Sequence, residues 1–315
     1  MRLIFAGTPE VALPALHALI ESDHEVVAVL TRPDAPVGRR RTLTPSPVRA
    51  RADELGIPVL TPTSLREPEV QQQLRDLDAD AAAVVAYGIL VPADALMIPV
   101  RGWVNLHFSL LPQWRGAAPA QRAVLAGQRR TGMSVFQLEE GLDTGPVLGV
   151  QEVEVGEFET AGDLLERMAT SGADLLVRTL DEIAAGTAQP VPQAHDDATS
   201  APKLSPAEAR IDFAQPAERV DAQIRGMSPH PGAWTSFRGG RFKILGTEKP
   251  TSAPALDAGR IAVGERGQVL VGTATTPIAV AVVGPAGKRA MRAADWARGA
   301  ALTADEAFDM EEERE

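Results

Sequence analysis

Along the first part of the chain, short unbroken apolar runs alternate with stretches in which apolar residues return every three or four positions. RLIFA at 2–6 is an apolar strand that breaks at Gly7-Thr8-Pro9, after which Val11, Leu13, Leu16, Ala18 and Leu19 mark the buried face of a helix. A second strand, EVVAVL at 25–30, precedes a helix near 46–55, a short strand at 57–60, a helix near 65–76 and the strand AAAVVAY at 81–87. Continuous apolar strands alternating with helices signal a parallel sheet covered on both faces. The expected fold is therefore a doubly wound, Rossmann-like α/β domain whose ligands bind beyond the carboxyl ends of the strands.

The strand GWVNLH at 102–107 then leads into SLLPQWRGAAP, strands at 131–138 and 146–154 flank a glycine-rich turn, and a long helix runs over about 160–185. Segment 186–207 is rich in Pro, Ala, Thr and Asp and has no periodicity, which marks a linker. Beyond it the pattern changes to short strands, WTSF, RFKILG, GRIAVG, QVLVGT and IAVAVV, punctuated by glycines, as in a small β-barrel or sandwich. The expected domains are 1–188, a linker at 189–207, and 208–315.

Composition narrows the chemistry. The chain has 315 residues and no cysteine, which excludes disulfides, thiolate metal sites and a cysteine nucleophile. Its five histidines form no close pair, so no metal site is expected. No run of about eighteen apolar residues occurs, and the apolar stretch before Gly7 is too short for a signal-peptide core, so a cytoplasmic protein is expected. The net charge of −11 hides an uneven distribution: residues 203–300 hold 14 Lys and Arg against 8 Asp and Glu. Residues 32–51 form a second basic focus, with Arg32, Arg39, Arg40, Arg41, Arg49 and Arg51 against Asp34. The last fifteen residues are acidic and read as a solvated, frayed tail.

Gly7 supplies one glycine where a dinucleotide fingerprint needs three, and no P-loop, G-x-S-x-G elbow or H-E-x-x-H is present. Asn105 and His107 stand two apart on one strand, so both project from the same face at its end. An Asn amide donates to a developing oxyanion and an imidazole moves protons, although this spacing also fits a histidine satisfied in a core. Asp143, in EEGLDTGP, is either a carboxylate that charge-stabilises the histidine or a turn-capping residue.

VNLHFSLLPQWRGAAPAQ at 104–121 and TGMSVFQLEEGLDTGPVL at 131–148 together resemble the folate-dependent formyltransferases. That resemblance implies 10-formyltetrahydrofolate as co-substrate, no metal, and Asn105, His107 and Asp143 as the catalytic set. It also implies a folate site at Ser109, Leu110, Leu111 and Pro112, a pterin pocket lined by Ile89, Leu90 and Val91, and closure by the acid-rich loop through Gly141 and Leu142. Within the family, RPDAPVGRRRTLTPSPVR, FAGTPE, LSPAEARIDF and MSPHPGAW look like the branch whose acceptor is methionyl-initiator tRNA. For that branch Arg39, Arg40 and Arg41 would meet the acceptor stem, the C-terminal domain would be an OB-like barrel holding tRNA, and the protein would be a monomer. Val11, Phe108 and Gln113 depart from the family's usual residues. Rival readings are a sugar-nucleotide or glycinamide-ribonucleotide formyltransferase, separated by the basic insertion and second domain, and a silent RNA-binding relative.

Overall fold

The computed structural model describes residues 1–38, 41–303 and 305–309. They fall into two compact units, the first built from 1–119, 131–153 and 165–201, the second from 120–130, 154–164 and the chain from 202 onward.

In the first unit the apolar runs become strands β1 (Arg2–Gly7), β2 (Glu25–Leu30), β3 (Val59–Leu60), β4 (Ala81–Val85), β5 (Trp103–His107), β6 (Arg130–Gln137) and β7 (Val147–Glu154). They form one seven-stranded sheet in the order β7-β6-β5-β4-β1-β2-β3. The pairs β1–β2, β1–β4, β2–β3 and β4–β5 are parallel, and β6 runs antiparallel to β5. All five residues of β4 are buried, and their alanines let a central strand be covered closely on both faces. Helix α1 (Leu13–Glu21) buries Ala15, Leu16 and Leu19. Helix α2 (Pro47–Glu54) buries Val48 and Ala52, with Pro47 in its first turn and the Ser46 hydroxyl accepting the Arg49 N–H at its cap. Helix α3 (Pro68–Asp76) buries Val70, Gln71 and Leu74. Gly7 has a packing role: a Cβ there would lie 2.9 Å from the Ala12 methyl and 2.8 Å from the Phe5 ring.

The expected linker divides in the structure, with residues up to 201 in the first unit and those from 202 in the second. Val191 bridges Val147, and Ser200–Ala201 pairs in parallel with Arg115–Gly116. A nonperiodic, proline-bearing sequence has here become a strap, because its backbone groups meet those of another irregular segment. Gly116 permits that approach. Its φ is +123°, and a Cβ would stand 2.8 Å from the Ala201 carbonyl oxygen.

The second unit carries strands β8 (Trp234–Phe237), β9 (Gly240–Glu248), β10 (Ile261–Val263), β11 (Val269–Val271), β12 (Ile278–Gly284) and β13 (Met291–Arg292) in an antiparallel six-stranded sheet. Its path runs β8-β9-β12-β11-β10, with β13 on β12. The acidic end of the chain is not uniformly frayed: Asp309 bridges Ser236 and Ala307 bridges Arg260, so this segment joins the two edges of the sheet. Phe308, 3% exposed, packs in a core with Phe213, Phe242 and Trp296, stacked on Phe213 at 5.5 Å. Residues 310–315 lie outside the described residues. Two helices that the strand-dominated reading missed, α4 (Ala217–Gly226) and α5 (Ala293–Ala300), cover this core.

Candidate active site

The site is assembled at the carboxyl end of β5. Alternation along the strand sends Leu106 toward the long helix Ala161–Ala185, where Gly172 comes close to its side chain, and turns Asn105 and His107 to the opposite face. His107 is buried, with its ring edge-on to Phe136 at 6.2 Å. Its Nε2 lies 2.9 Å from the Trp114 carbonyl oxygen. A carbonyl only accepts, so the proton sits on Nε2, and in the neutral ring Nδ1 presents a lone pair. Nδ1 is 3.8 Å from Asp143 Oδ2, an electrostatic separation longer than a hydrogen bond.

Burial holds the His107 pKa below the usual 6.5, against the opposing pull of the Asp143 carboxylate and the Trp114 carbonyl. The ring is therefore neutral near pH 7, and the carboxylate balances its charge once it takes up a proton at Nδ1. Asp143 is itself held in an unusual backbone state. Its φ is +52°, in the left-handed region, and Oδ2 accepts the Gly116 N–H at 2.7 Å. The spacing of the sequence left Asp143 and His107 unconnected; the fold brings them together. No hydrogen bond to a described residue engages the Asn105 amide, which leaves it available to a ligand.

The family-implied folate residues surround this centre on loops that follow three strands. Ser109 is fully buried and spent internally: its hydroxyl donates to the Gln113 carbonyl and its carbonyl accepts from the Ser134 hydroxyl. Ser134 Oγ in turn accepts the Leu111 N–H, which fixes the turn through Leu110, Leu111 and Pro112. In the loop after β4, Ile89 and Val91 are half-buried against the core, whereas Leu90 is 69% exposed. Gly141 and Leu142 are exposed in the loop after β6, Leu142 by 71%. Two bare leucines on loops flanking a polar centre are what an aromatic bicycle could cover. Among the described residues no group of three or more His, Asp or Glu side chains could hold a metal.

The basic focus at 32–51 is smaller than its sequence count. Arg49 pairs with Asp34 at 2.8 Å and Asp53 at 3.6 Å, and Arg51 with Glu54 at 2.9 Å. Arg32 is exposed ahead of a hairpin of short strands, Ala35–Val37 and Thr42–Thr44, whose base the Asp34–Arg49 pair pins. Arg41 is exposed in its turn; Arg39 and Arg40 lie outside the described residues. In the second unit Arg266, Lys288, Arg289 and Arg292 are exposed and make no ion pair among the described residues.

Residues that sequence reasoning missed are Trp114 and Gly116, which contribute only backbone groups, and Gln193, whose buried amide binds the Asp143 loop from within the expected linker. Backbone contributions leave no trace in side-chain type.

Comparison with known proteins decides the family. The formyl transferase family matches residues 1–180, and the formyl transferase C-terminal domain matches 203–301. The chain belongs to the formyl transferase family. Among relatives in it, the methionyl-tRNA formyltransferase of Salinispora arenicola is 57% identical over 97% of this chain and 99% of its own. That of Thermobifida fusca is 54% identical over 98% and 99%. An N-formyltransferase from Helicobacter canadensis, solved with folinic acid and dTDP-3-aminofucose, shares the fold at a TM-score of 0.68 and 17% identity, covering 88% of this chain and 98% of its own. No helix among the described residues is long and apolar enough to cross a membrane.

Proposed function

We propose that this formyl transferase moves the formyl group of 10-formyltetrahydrofolate to the free α-amino group of methionyl-initiator tRNA. The observation that carries the reading is the identity above 50%, over nearly the whole of both chains, to relatives named methionyl-tRNA formyltransferase. The site's chemistry supports it. The amine attacks the formyl carbon, and the Asn105 amide donates to the oxygen as it becomes an oxyanion. His107, neutral at rest, takes the proton released by the amine at Nδ1, where Asp143 balances the charge. The bond from the formyl carbon to N10 then breaks, and the proton passes to N10. The products are N-formylmethionyl-tRNA, which serves to start protein synthesis, and tetrahydrofolate. Leu90 and Leu142 supply apolar cover for the pterin.

Exposed cations with no ion pair, at the hairpin turn and on the second unit, suit a phosphate backbone. The test is formyl transfer to methionine-charged initiator tRNA, with mischarged tRNA and amino-sugar nucleotides as competing acceptors. Transfer to the charged tRNA alone is expected; preference for the sugar nucleotide would replace the acceptor and leave the chemistry. Substituting Arg39, Arg40 and Arg41 together by Ala should raise KM for tRNA and flatten its salt dependence, with folate affinity unchanged.

A further inference from the structure

The Asp143 carboxylate is gripped by a backbone N–H, but its main chain is gripped by a side chain that arrives 50 residues later in sequence. The Gln193 amide nitrogen donates to two carbonyl oxygens of the same loop, Asp143 at 2.9 Å and Gly145 at 2.7 Å. Its amide oxygen accepts from Arg115, at 3.1 Å from Nε and 2.7 Å from Nη2. With both hydrogens and the oxygen engaged, the amide has one orientation that satisfies it, and it is 8% exposed. Arg115 and Gly116 are neighbours on the strand that pairs with Ser200–Ala201. The two ends of Asp143 are thereby tied to one dipeptide: the carboxylate to the Gly116 N–H and the backbone, through Gln193, to the Arg115 guanidinium.

We propose that Gln193, oriented by Arg115, is a positioning residue that sets the distance between Asp143 and His107 and so the rate of formyl transfer. A residue at φ +52° relaxes when its restraints go, and an amide donating to two carbonyls of one turn is such a restraint. Released, the loop would carry the carboxylate away from Nδ1, from which it already stands 3.8 Å. Displacement of a reacting group by about 1 Å costs on the order of 100-fold in rate. The inference rests on the reading that Asp143 and His107 carry the transfer.

A double-mutant cycle on the full chain tests it, with Gln193→Met, which keeps the side-chain length and removes donors and acceptor, crossed with Asp143→Asn. Gln193→Met should lower kcat by about 10- to 100-fold, with KM for charged tRNA and for 10-formyltetrahydrofolate changed less than about twofold. In the Asp143→Asn background the same substitution should change kcat less than about twofold, because the group it positions has lost its charge. Arg115→Lys, which retains a single donor to Gln193, should fall between Gln193→Met and the parent and serves if Gln193→Met folds poorly. The His107 imidazole, which faces the Asp143 carboxylate and the Trp114 carbonyl, should titrate at lower pH by NMR in Gln193→Met, since the pull of Asp143 weakens. Equal losses of kcat in both backgrounds, or an unmoved His107 titration, would overturn the proposal and make Gln193 a fold staple. Failure of the parent enzyme to transfer formyl at all would instead remove the functional reading, and is seen before any variant is made.

Discussion

One pair from each unit shows a different way of holding opposite charges. In the first, His107 and Asp143 are nearly enclosed, stand 3.8 Å apart, and spend their hydrogen bonds on backbone groups. In the second, a half-exposed Arg238 and Glu306 close a two-pronged contact, Nε to Oε1 at 2.9 Å and Nη2 to Oε2 at 2.7 Å. That fork draws the Glu306 carboxyl down to about 2. A pair drawn fully together leaves no vacant proton position between its two groups. The pair held slightly apart, in a site that water enters poorly, keeps a proton position empty and a charge waiting for it. On the proposed reading, separation distinguishes a pair that moves a proton from one that fastens the fold, and it comes from the restraints on each partner's backbone.

The sharpest way to break this contrast is to discharge the first pair. Asp143→Asn, His107→Ala and Asn105→Ala should each lower kcat by about 100-fold or more while the protein stays folded and still binds tRNA, as single-turnover kinetics and filter binding can show. Near-normal turnover in His107→Ala would make the pair structural. The next effect is on the fastening side: Phe308→Ala removes a stacked core ring and should destabilise the second unit by about 3 to 5 kcal/mol in denaturant titration. Folate binding, which the proposed reading places in the first unit, should be unchanged.

A smaller effect follows from the sign of the His107 shift. Burial lowers its folded pKa below the unfolded 6.5, so the unfolded chain takes the proton first. The stability it contributes is complete above pH 6.5 and is lost as pH falls through that value toward the folded pKa. His24, also lowered by burial and then by the amino-terminal charge, acts in the same direction. Stability measured between about pH 7 and 5 should therefore decline less steeply in a His24→Gln, His107→Gln variant than in the parent. The least effect is expected from Glu306→Gln, because its partner Arg238 is half-exposed and the pair is partly screened by solvent. Its contribution is present above the usual carboxylate pKa of 4.5 and fades as pH falls toward 2, so the variant should differ from the parent in melting temperature only slightly at neutral pH and not at all in strong acid.

Strand periodicity carried most of the fold. The runs at 2–6, 25–30 and 81–87 form the central sheet because each is apolar on both faces, a pattern independent of what packs against it. Helix α4 was overlooked although Val220 and Ile224, with Met227 at its C-cap, mark one face, since the glycine-punctuated strands after it set the reading of the whole region. Asn105 and His107 were legible as neighbours through the two-residue period of a strand. Their meeting with Asp143 was not, because it depends on where a loop after β6 lands. Gln193 was hidden for a further reason: a glutamine among prolines and alanines has the composition of a linker, and its value lies in what two distant carbonyls and a guanidinium offer it.

The strap at 199–201 has a consequence for how the molecule breathes. The amides of Trp114, Arg115, Ala117 and Ala118 all find their acceptors on Thr199 or Ala201, more than 80 residues away along the chain. The strap therefore helps to hold the loop that carries the Trp114 carbonyl and the Gly116 N–H. In native-state hydrogen exchange these four amides should share one opening free energy with each other and with the Thr199 amide, and they should respond together to denaturant. The loop at 114–118 and the strap at 199–201 would then open as a single cooperative element.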